Sequence, residues 1–419
     1  MNIAVEEIAP LQDFDDPHYN PFTVEDGAYG DIEDIHTPLA ELRAMGPIHE
    51  VNPLEALGWQ ANPVGGYGVR EFLAVRHDVI DEVLNNQDAF SIEAYKPGMG
   101  ASFGETLSVL MPPDHARIRK VFQRVFFPNV VAKWGDDVIA PEINKLIDGF
   151  IDRGRADMVE EFTHLYPFHI IFRQLDLPER DIALFHKLAA SLTHLYGDYM
   201  VHALEASHKL GVYLRDLIKA RQARPGKDLV SHLANAQVDG DFIPEVNLVS
   251  FLRQLLNAGG DTTYRATGTM LVGLLRNPDQ FEAVRKDRSL VPNAIEEALR
   301  WDGPSPLQLR TAIHDTALAG TNIPAGSIVY CAGAAANRDP DLFENPNEYN
   351  IHRGRSKHYS FSTGPHICVG QHLARVEMTH ALNSVLDRLP KLRFDPDKPP
   401  ARITGIYFRT PQDLHVRFD

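Results

Sequence analysis

The cysteine at position 368 lies where a structural cysteine is not expected. Its loop, FSTGPHICVG (361–370), is too rich in Gly, Pro, Ser and Thr to form a continuous helix or a central strand. The apolar-periodic segment that follows predicts a helix starting near Gln371. Unpaired backbone N–H groups and the positive end of the helix dipole favour thiolate over thiol there. Glycines on either side leave room for a flat, bulky partner, so Cys368 is predicted to be an anionic ligand.

A second group of chemically active residues, Asp261-Thr262-Thr263, interrupts the long apolar-periodic segment LLNAGGDTTYRATGTMLVGLL (255–275). The adjacent glycines before it each cost about 1 kcal/mol relative to alanine inside a helix, and threonine side chains compete for backbone hydrogen bonds. Violations of helix preference at mid-helix are typical of functional sites. The structural alternative is a threonine-rich kink packed in the core.

In each of two predicted helices, two residues with titratable side chains lie on the same face. Glu297 and Arg300 in EEALR are three positions apart, and His115 and Arg119 in PPDHARIRKVF are four apart. Taken alone, such pairs are usually solvated surface groups that contribute little stability.

Together these segments identify a family. FSTGPHICVG resembles the heme-binding loop of the cytochromes P450, commonly FxxGxHxCxG, and AGGDTT is similar to that family's distal helix motif, AGxDTT. The resemblance implies heme b (iron protoporphyrin IX), with Cys368 as the axial thiolate ligand of its iron. It implies that Asp261 and Thr262 are the acid and alcohol that deliver protons. It also implies that Ala258 is a cofactor-binding residue, with Ala258 and Gly259 as groove residues in a widened helical turn.

The same resemblance implies roles for the charged pairs. Heme carries two propionates that need cationic or hydrogen-bonding partners when they are partly buried. The expected propionate partners are His115, Arg119, Arg310 and His366. Glu297 and Arg300 are expected to form a structural triad with Arg353.

The elements that position these residues are mainly helical. From about Pro113 to Arg300 the pattern is helical, whereas strand-like pieces lie at about 45–76 and 305–419, and residues 1 to about 40 read as irregular. We expect a single domain over 1–419 with the cytochrome P450 fold: mainly α, a large helical domain with a minor β-rich region. The resemblance covers roughly Gly68 to the C-terminus.

Composition restricts the partners and the compartment. A net charge of −16 disfavours nonspecific binding to nucleic acid or to an anionic membrane. No window reaches the about 20 apolar residues of a spanning helix, and the N-terminus lacks a secretory pattern. Only two cysteines, Cys331 and Cys368, are present. We expect a cytoplasmic protein without nucleic-acid or membrane partners, with Cys331 in the core.

Two acid-free segments predict a basic docking patch. Segment 115–135 carries five cations, and segment 349–376 adds three more around the cysteine loop besides the triad residue Arg353. The expected partner is an acidic ferredoxin with its NAD(P)H-dependent reductase, although a flavodoxin satisfies the same electrostatics. The cations are Arg117, Arg119, Lys120, Arg124, Lys133, Arg355, Lys357 and Arg375.

The substrate is expected to be a medium-sized hydrophobic molecule, most simply hydroxylated at a C–H bond. Gln254 and Asn257 either orient a polar group of the substrate or bond a neighbouring helix. Two alternatives are a heme-thiolate gas sensor or heme carrier, and a peroxide-driven P450; the acid-alcohol pair argues against both. The candidate pocket residues are Gln254, Asn257, Leu307, Gln308, Ile406 and Tyr407.

Overall fold

Helices make up most of the molecule. The computed structural model describes residues 8–28, 30–59, 68–195, 197–353 and 357–419. Short 3₁₀ and π turns join several of the helices. The α-helices are α1 (Pro21–Ala28), α2 (His36–Met45), α3 (Pro53–Ala56), α4 (His77–Asn85), α5 (Ala101–Phe103), α6 (Asp114–Phe122), α7 (Pro128–Trp134), α8 (Ala140–Asp148), α9 (Tyr166–Gln174), α10 (Ile182–Ser191), α11 (Met200–Ala223), α12 (Leu229–Ala234), α13 (Glu245–Arg276), α14 (Pro278–Lys286), α15 (Val291–Asp302), α16 (Gly333–Ala336) and α17 (Gln371–Arg388).

The 32-residue helix α13 is the axis around which the other helices pack. It contacts α9, α10, α11, α15 and α17. From Thr263 to Leu275 every one of its residues is buried. A helix that is buried on all sides has no face in contact with water, so its side chains must be apolar or hydrogen-bonded within the protein. This explains why the segment lacks a clear polar face.

The main β region is a five-stranded sheet in the order β1-β2-β10-β7-β3, in which β10 pairs with β2 in parallel and the other pairs are antiparallel. Alternate residues of β10 enter different apolar clusters, Val329 and Cys331 on one face and Ile328 and Tyr330 on the other. Cys331 is therefore a core residue, as expected. The strands are β1 (Ile48–Glu50), β2 (Glu71–Ala74), β3 (Phe90–Ser91), β4 (Arg155–Asp157), β5 (Gln237–Val238), β6 (Asp241–Phe242), β7 (Leu307–Ala312), β8 (Thr316–Leu318), β9 (Thr321–Ile323), β10 (Ile328–Ala332), β11 (Arg393–Phe394), β12 (Ile403–Thr404), β13 (Thr410–Pro411) and β14 (His415–Arg417).

The N-terminal segment is more ordered than the sequence predicts. Within residues 1 to about 40, expected to be irregular, the structure contains α1 and the start of α2. Pro21 begins α1 and Pro38 lies in the first turn of α2, where proline needs no helical N–H partner, so these prolines do not exclude helices. Ile8, Leu11 and Phe14 are buried in the main core.

No helix within the described ranges is long and apolar enough to cross a membrane.

Candidate active site

The cysteine loop is held in a tight turn against α4. Gly364 has a φ of +72°, and a Cβ at this position would lie 2.7 Å from the carbonyl oxygen of Leu84. Only glycine fits this approach. The Cys368 N–H donates to the Phe361 carbonyl at 2.9 Å, which closes the loop, and α17 begins three residues later at Gln371.

The Cys368 thiol is accessible to a water-sized sphere although protein surrounds it. Burial raises the pKa of Cys368, while the backbone N–H groups of Gly370 and Gln371 and the charges of Arg119 and Arg375 lower it. Burial is the larger influence, so the unliganded sulfur favours the thiol. A bound metal ion would add the positive charge needed for a thiolate.

A cluster of cationic and imidazole groups adjoins this loop. The His115 ring centroid lies 4.0 Å from that of His366. Arg119, one turn after His115 on α6, donates from Nη2 to the Ile367 carbonyl at 2.6 Å. Arg310, on β7, is buried, and its charge acts on His366. Burial, followed by the charges of His115 and the two arginines, lowers the pKa of His366 to about 3.

This cluster lacks the anions that its chemistry requires. His115 is 2% exposed, and its Nε2 atom is buried without a hydrogen-bond partner. Neither Arg119 nor Arg310 forms an ion pair with a carboxylate in the part of the chain described. Buried donors and charges of this kind are normally satisfied, so the site fits a ligand with acidic groups. Heme fits, because Cys368 offers the iron ligand and the four predicted partners offer donors for the propionates.

The distal motif lies at the one solvent-accessible stretch in the middle of α13. Ala258 is exposed although the residues around it in the helix are buried or half-buried. The Thr262 hydroxyl donates to the Ala258 carbonyl at 3.2 Å. The helix continues without a break from Glu245 to Arg276, so the expected widened turn does not interrupt it.

The two glycines of the motif have a packing role that the sequence did not reveal. A Cβ on Gly259 would lie 2.8 Å from Ile171 Cγ1, and a Cβ on Gly260 would lie 3.3 Å from the backbone of Phe168. Both therefore allow α9 to approach α13 closely. The expectation that Gly259 opens a groove is not supported, because the side of Gly259 on which a Cβ would lie faces α9.

Asp261 is paired with a residue that sequence reasoning missed. Arg265 donates from Nη2 to Asp261 Oδ1 at 2.9 Å, and its guanidinium lies 4.7 Å from the Tyr264 ring centroid and 5.2 Å from that of Phe408. Burial raises the pKa of Asp261 and lowers that of Arg265 to about 9. The four-residue spacing in DTTYR was a signal for this pair, since positions i and i+4 are neighbours on a helix.

Glu297, Arg300 and Arg353 meet, as the triad prediction requires. Arg300 bonds both carboxylate oxygens of Glu297, at 2.7 and 2.8 Å, and Arg353 Nε lies 3.4 Å from Oε1. Arg300 also donates to the backbone carbonyls of Asn337, Pro346 and Glu348. The triad thus ties α15 to the irregular segment that leads to the cysteine loop.

The amides proposed for the pocket are committed to neighbouring elements. Asn257 donates to the Ala189 carbonyl of α10 at 3.0 Å, and Gln254 donates to Ser108 Oγ at 2.8 Å. For Asn257 the second of the two predicted roles, bonding a neighbouring helix, is therefore the one observed. Gln254 likewise bonds another segment of the chain.

The remaining pocket candidates lie near the sheet. Leu307 and Ile406 are buried in one apolar cluster, with Tyr407 packed against it. Ile406 is fully buried. Gln308 differs from its neighbours because its Oε1 is buried without a hydrogen-bond partner.

A second missed residue is Glu377 on α17. It is fully buried, and burial raises its pKa well above the ordinary value while the Thr263 hydroxyl acts in the opposite direction. Both of its oxygens are buried without a hydrogen-bond partner, so this carboxyl lies near Thr263, which follows Thr262, without being bonded to it. The sequence carries no local signal that position 377 is buried beside α13.

The predicted basic patch is smaller than expected. Arg375 bonds Glu296 at 2.6 and 3.0 Å, Lys357 pairs with Asp81, and Arg355 lies outside the described residues. Arg117 lies 3.5 Å from Asp114, and Arg119 belongs to the loop cluster. Three exposed cations remain without a carboxylate partner in the described ranges: Lys120, Arg124 and Lys133.

Comparisons with known proteins agree with this geometry. The family model "Cytochrome P450" matches residues 205–412. Pulcherriminic acid synthase of Bacillus subtilis (strain 168) is 32% identical over 372 residues, covering 83% of this chain and 89% of that protein. Putative cytochrome P450 133B1 of Xylella fastidiosa (strain 9a5c) is 30% identical over 358 residues, covering 81% and 88%.

The fold agrees as well. The crystal structure of the myxobacterial cytochrome P450 CYP267B1 in complex with myristic acid has a TM-score of 0.83 at 28% identity, covering 93% of this chain and 97% of that one. The predicted fold class is thereby confirmed. The chain belongs to the cytochrome P450 family of heme b monooxygenases.

Proposed function

We propose that this monooxygenase receives electrons from an acidic ferredoxin and inserts one oxygen atom into a C–H bond of a medium-sized hydrophobic substrate. The observation that carries the proposal is the group of donors beside the accessible Cys368 thiol. His115, Arg119 and Arg310 lie there without carboxylate partners in the part of the chain described.

The residues divide into those that hold heme and those that brace its site. In this proposal Cys368 binds the iron, and His115, Arg119, Arg310 and His366 bind the propionates. Heme, when bound, supplies the dioxygen activation that oxidises the substrate. The Glu297 triad holds the segment before the loop and touches no reactant.

The distal pair supplies protons. Thr262 presents its hydroxyl at the accessible part of α13, and Asp261 keeps one oxygen, Oδ2, free of hydrogen bonds. Burial raises the pKa of Asp261, so the carboxyl both takes up and releases a proton more readily near neutral pH. A peroxide-driven enzyme or a heme carrier would have no need for this pair.

A hydrophobic substrate is supported by the exposed Ala258 and by the relative that binds myristic acid. Leu307 and Gln308 are successive residues of β7 and point to opposite faces of the sheet, so Leu307 supplies apolar lining on one face only. Gln308 donates from Nε2 to the Ser305 carbonyl at 3.0 Å, but its Oε1 is buried without a hydrogen-bond partner, so we assign the polar group of the pocket to this oxygen.

The electron partner is expected to dock on the exposed cations Lys120, Arg124 and Lys133. Phe127, 43% exposed, adds an apolar contact among them. An acidic ferredoxin complements this charge, and so does a flavodoxin. Both docking and a cytoplasmic location stay predictions.

The test begins with the absorption spectrum of the reduced protein under carbon monoxide. A band at about 450 nm is expected for thiolate ligation, and Cys368→Ser should lose it while Cys331→Ser keeps it. With an acidic ferredoxin, its reductase and a fatty acid, NAD(P)H consumption should depend on substrate and weaken as salt rises. Loss of the band in the folded wild-type protein would overturn the proposal.

A further inference from the structure

A small cavity lies behind Asp261, between α9, α10, α13 and the turn that precedes α9. Two histidines contribute to its wall, His164 before α9 and His186 on α10. Both are partly accessible to solvent, whereas the Asp261 side chain is 10% exposed. The cavity thus runs inward from a half-exposed rim to a buried carboxyl. Its wall is completed by Phe168, Ala189, Ala190, Leu256, Asn257, Gly260 and Tyr264.

The rings at the rim are in mutual contact. The His164 ring centroid lies 4.9 Å from that of His186 and 4.7 Å from that of Tyr264. His186 stacks on Phe168 at 4.3 Å, and the Phe22 ring of α1 contacts both imidazoles at steep angles, at 5.2 and 4.9 Å. These contacts fix the two imidazoles next to each other and next to the tyrosine that adjoins Arg265.

At the inner end, Asp261 offers an unused acceptor. Arg265 occupies Oδ1 at 2.9 Å, while Oδ2 is buried without a hydrogen-bond partner. The space open to the centre of a water-sized sphere is ≈ 20 Å³, sufficient for one water molecule. Asp261 Oδ2 and the two imidazoles are polar groups in the same wall, so a water there would have partners.

The histidines are in the form a relay needs. Burial lowers the pKa of His164 to about 4. Burial, followed by the charges of His164 and His169, lowers that of His186 well below its ordinary value. Both are therefore neutral at pH 7, and a neutral imidazole accepts a proton on one ring nitrogen and releases another from the second.

We infer that His164 and His186, with Tyr264, form the entrance of a proton path that ends at Asp261. A proton from solvent binds one imidazole nitrogen, the opposite nitrogen releases its proton toward the cavity, and the Asp261 carboxylate accepts it as a carboxylic acid. Each passage moves one proton and no electrons. The inference rests on the proposed function of Asp261, and it assigns the histidines a role in supplying that residue.

The experiment compares His164→Gln, His186→Gln and the double variant with the wild type. His208→Gln is the matched control, because His208 is an exposed histidine on α11. The reduced carbon monoxide spectrum of each protein shows first that heme ligation is intact. The solvent isotope effect on substrate-dependent NAD(P)H consumption is then measured.

A second measurement does not depend on turnover. The imidazole pKa values of His164 and His186 are followed by NMR in the resting protein and in Asp261→Asn. Burial raises the pKa of Asp261 to about 7, above that of His164, so the wild-type imidazole signals should shift in a step as Asp261 titrates, and Asp261→Asn should lose this step.

The inference is supported if the double variant keeps the band near 450 nm, raises the solvent isotope effect at least about twofold and slows consumption, while His208→Gln changes neither. An unchanged isotope effect and rate would overturn it, and so would imidazole signals that do not respond to the titration of Asp261. Slower turnover with an unchanged isotope effect would also overturn it, because it would show a packing role. Absence of the band in the wild type would instead refute the proposed function.

Discussion

At the scale of residues, the site is built from common side chains, and their separate contacts give them different roles. Asp261 and Thr262 are adjacent in sequence, yet their neighbours differ. Asp261 contacts Arg265 and the small cavity between α9, α10 and α13, whereas the Thr262 hydroxyl bonds the Ala258 carbonyl. This separation gives the acid a route to solvent and places the hydroxyl at the accessible stretch of α13. The pair therefore joins two sides of one helix.

Thr262→Ala is expected to uncouple the reaction without displacing heme. The variant should keep the band near 450 nm and its NAD(P)H consumption, while product per NAD(P)H falls at least about tenfold and peroxide rises, because a positioned proton donor is lost. Product and peroxide are quantified together, with Thr269→Ala on the same helix as control. Normal coupling in Thr262→Ala would contradict the role of the hydroxyl, unless the substrate itself carries one.

At the scale of elements, the N-terminal segment is bound to α10, α11 and the turn between them. Tyr19 donates or accepts a 2.7 Å hydrogen bond with His194 Nδ1, and its ring stacks on His202 at 3.8 Å. Asp13 and Asp15 pair with lysines on α10 and α11 at 2.8 Å. The exposed ion pairs contribute little, so the buried Tyr19 ring is the main anchor.

Tyr19→Ala should lower the free energy of unfolding by about 3 kcal/mol, since it removes a buried aromatic ring. Tyr19→Phe should cost only about 1 kcal/mol, the contribution of one hydrogen bond. Denaturant unfolding measures both values, and hydrogen exchange should show faster opening of α10 and α11 in Tyr19→Ala. Equal losses in the two variants would show that the ring itself does not anchor the segment.

At the scale of the whole molecule, several histidines are buried in the neutral form. Burial lowers the pKa of His36, His115, His164 and His194 to about 4 each. They lie in different parts of the structure, so the effect of acid is spread over the molecule. Whether these parts form a single domain stays a prediction.

Acid is therefore expected to destabilise the protein from just below pH 6.5. Unfolded histidines bind protons from about pH 6.5 downward. The folded ones do not until about pH 4, so the unfolded state binds more protons and stability falls as the pH falls. Urea unfolding at pH 7, 6 and 5 measures this slope before most carboxylates titrate. His194→Gln should reduce it and the exposed His208→Gln should not; a flat profile in the wild type would contradict the prediction.

The sequence by itself determined the family and the fold class, and it predicted the residues that we propose to carry the chemistry. This was possible because the cysteine loop and the distal motif are short contiguous segments. Their glycines, acid and alcohol are unfavourable for regular secondary structure, and such residues are typical of functional sites. Cys368 before α17 and Asp261-Thr262 inside α13 needed no long-range contact to be recognised. The helical region from about Pro113 to Arg300 followed from apolar periodicity, whereas α1 and the start of α2 did not.

Only the tertiary structure decided which partners those residues meet. The packing of α9 and α10 on α13 brings His164 and His186 to the rear of Asp261, although the three are far apart in sequence. The contact between α10 and α13 engages the Asn257 amide, and the packing of α17 buries Glu377. Such contacts depend on how distant faces come together, and burial then sets the charge of each group, so no local pattern encodes them.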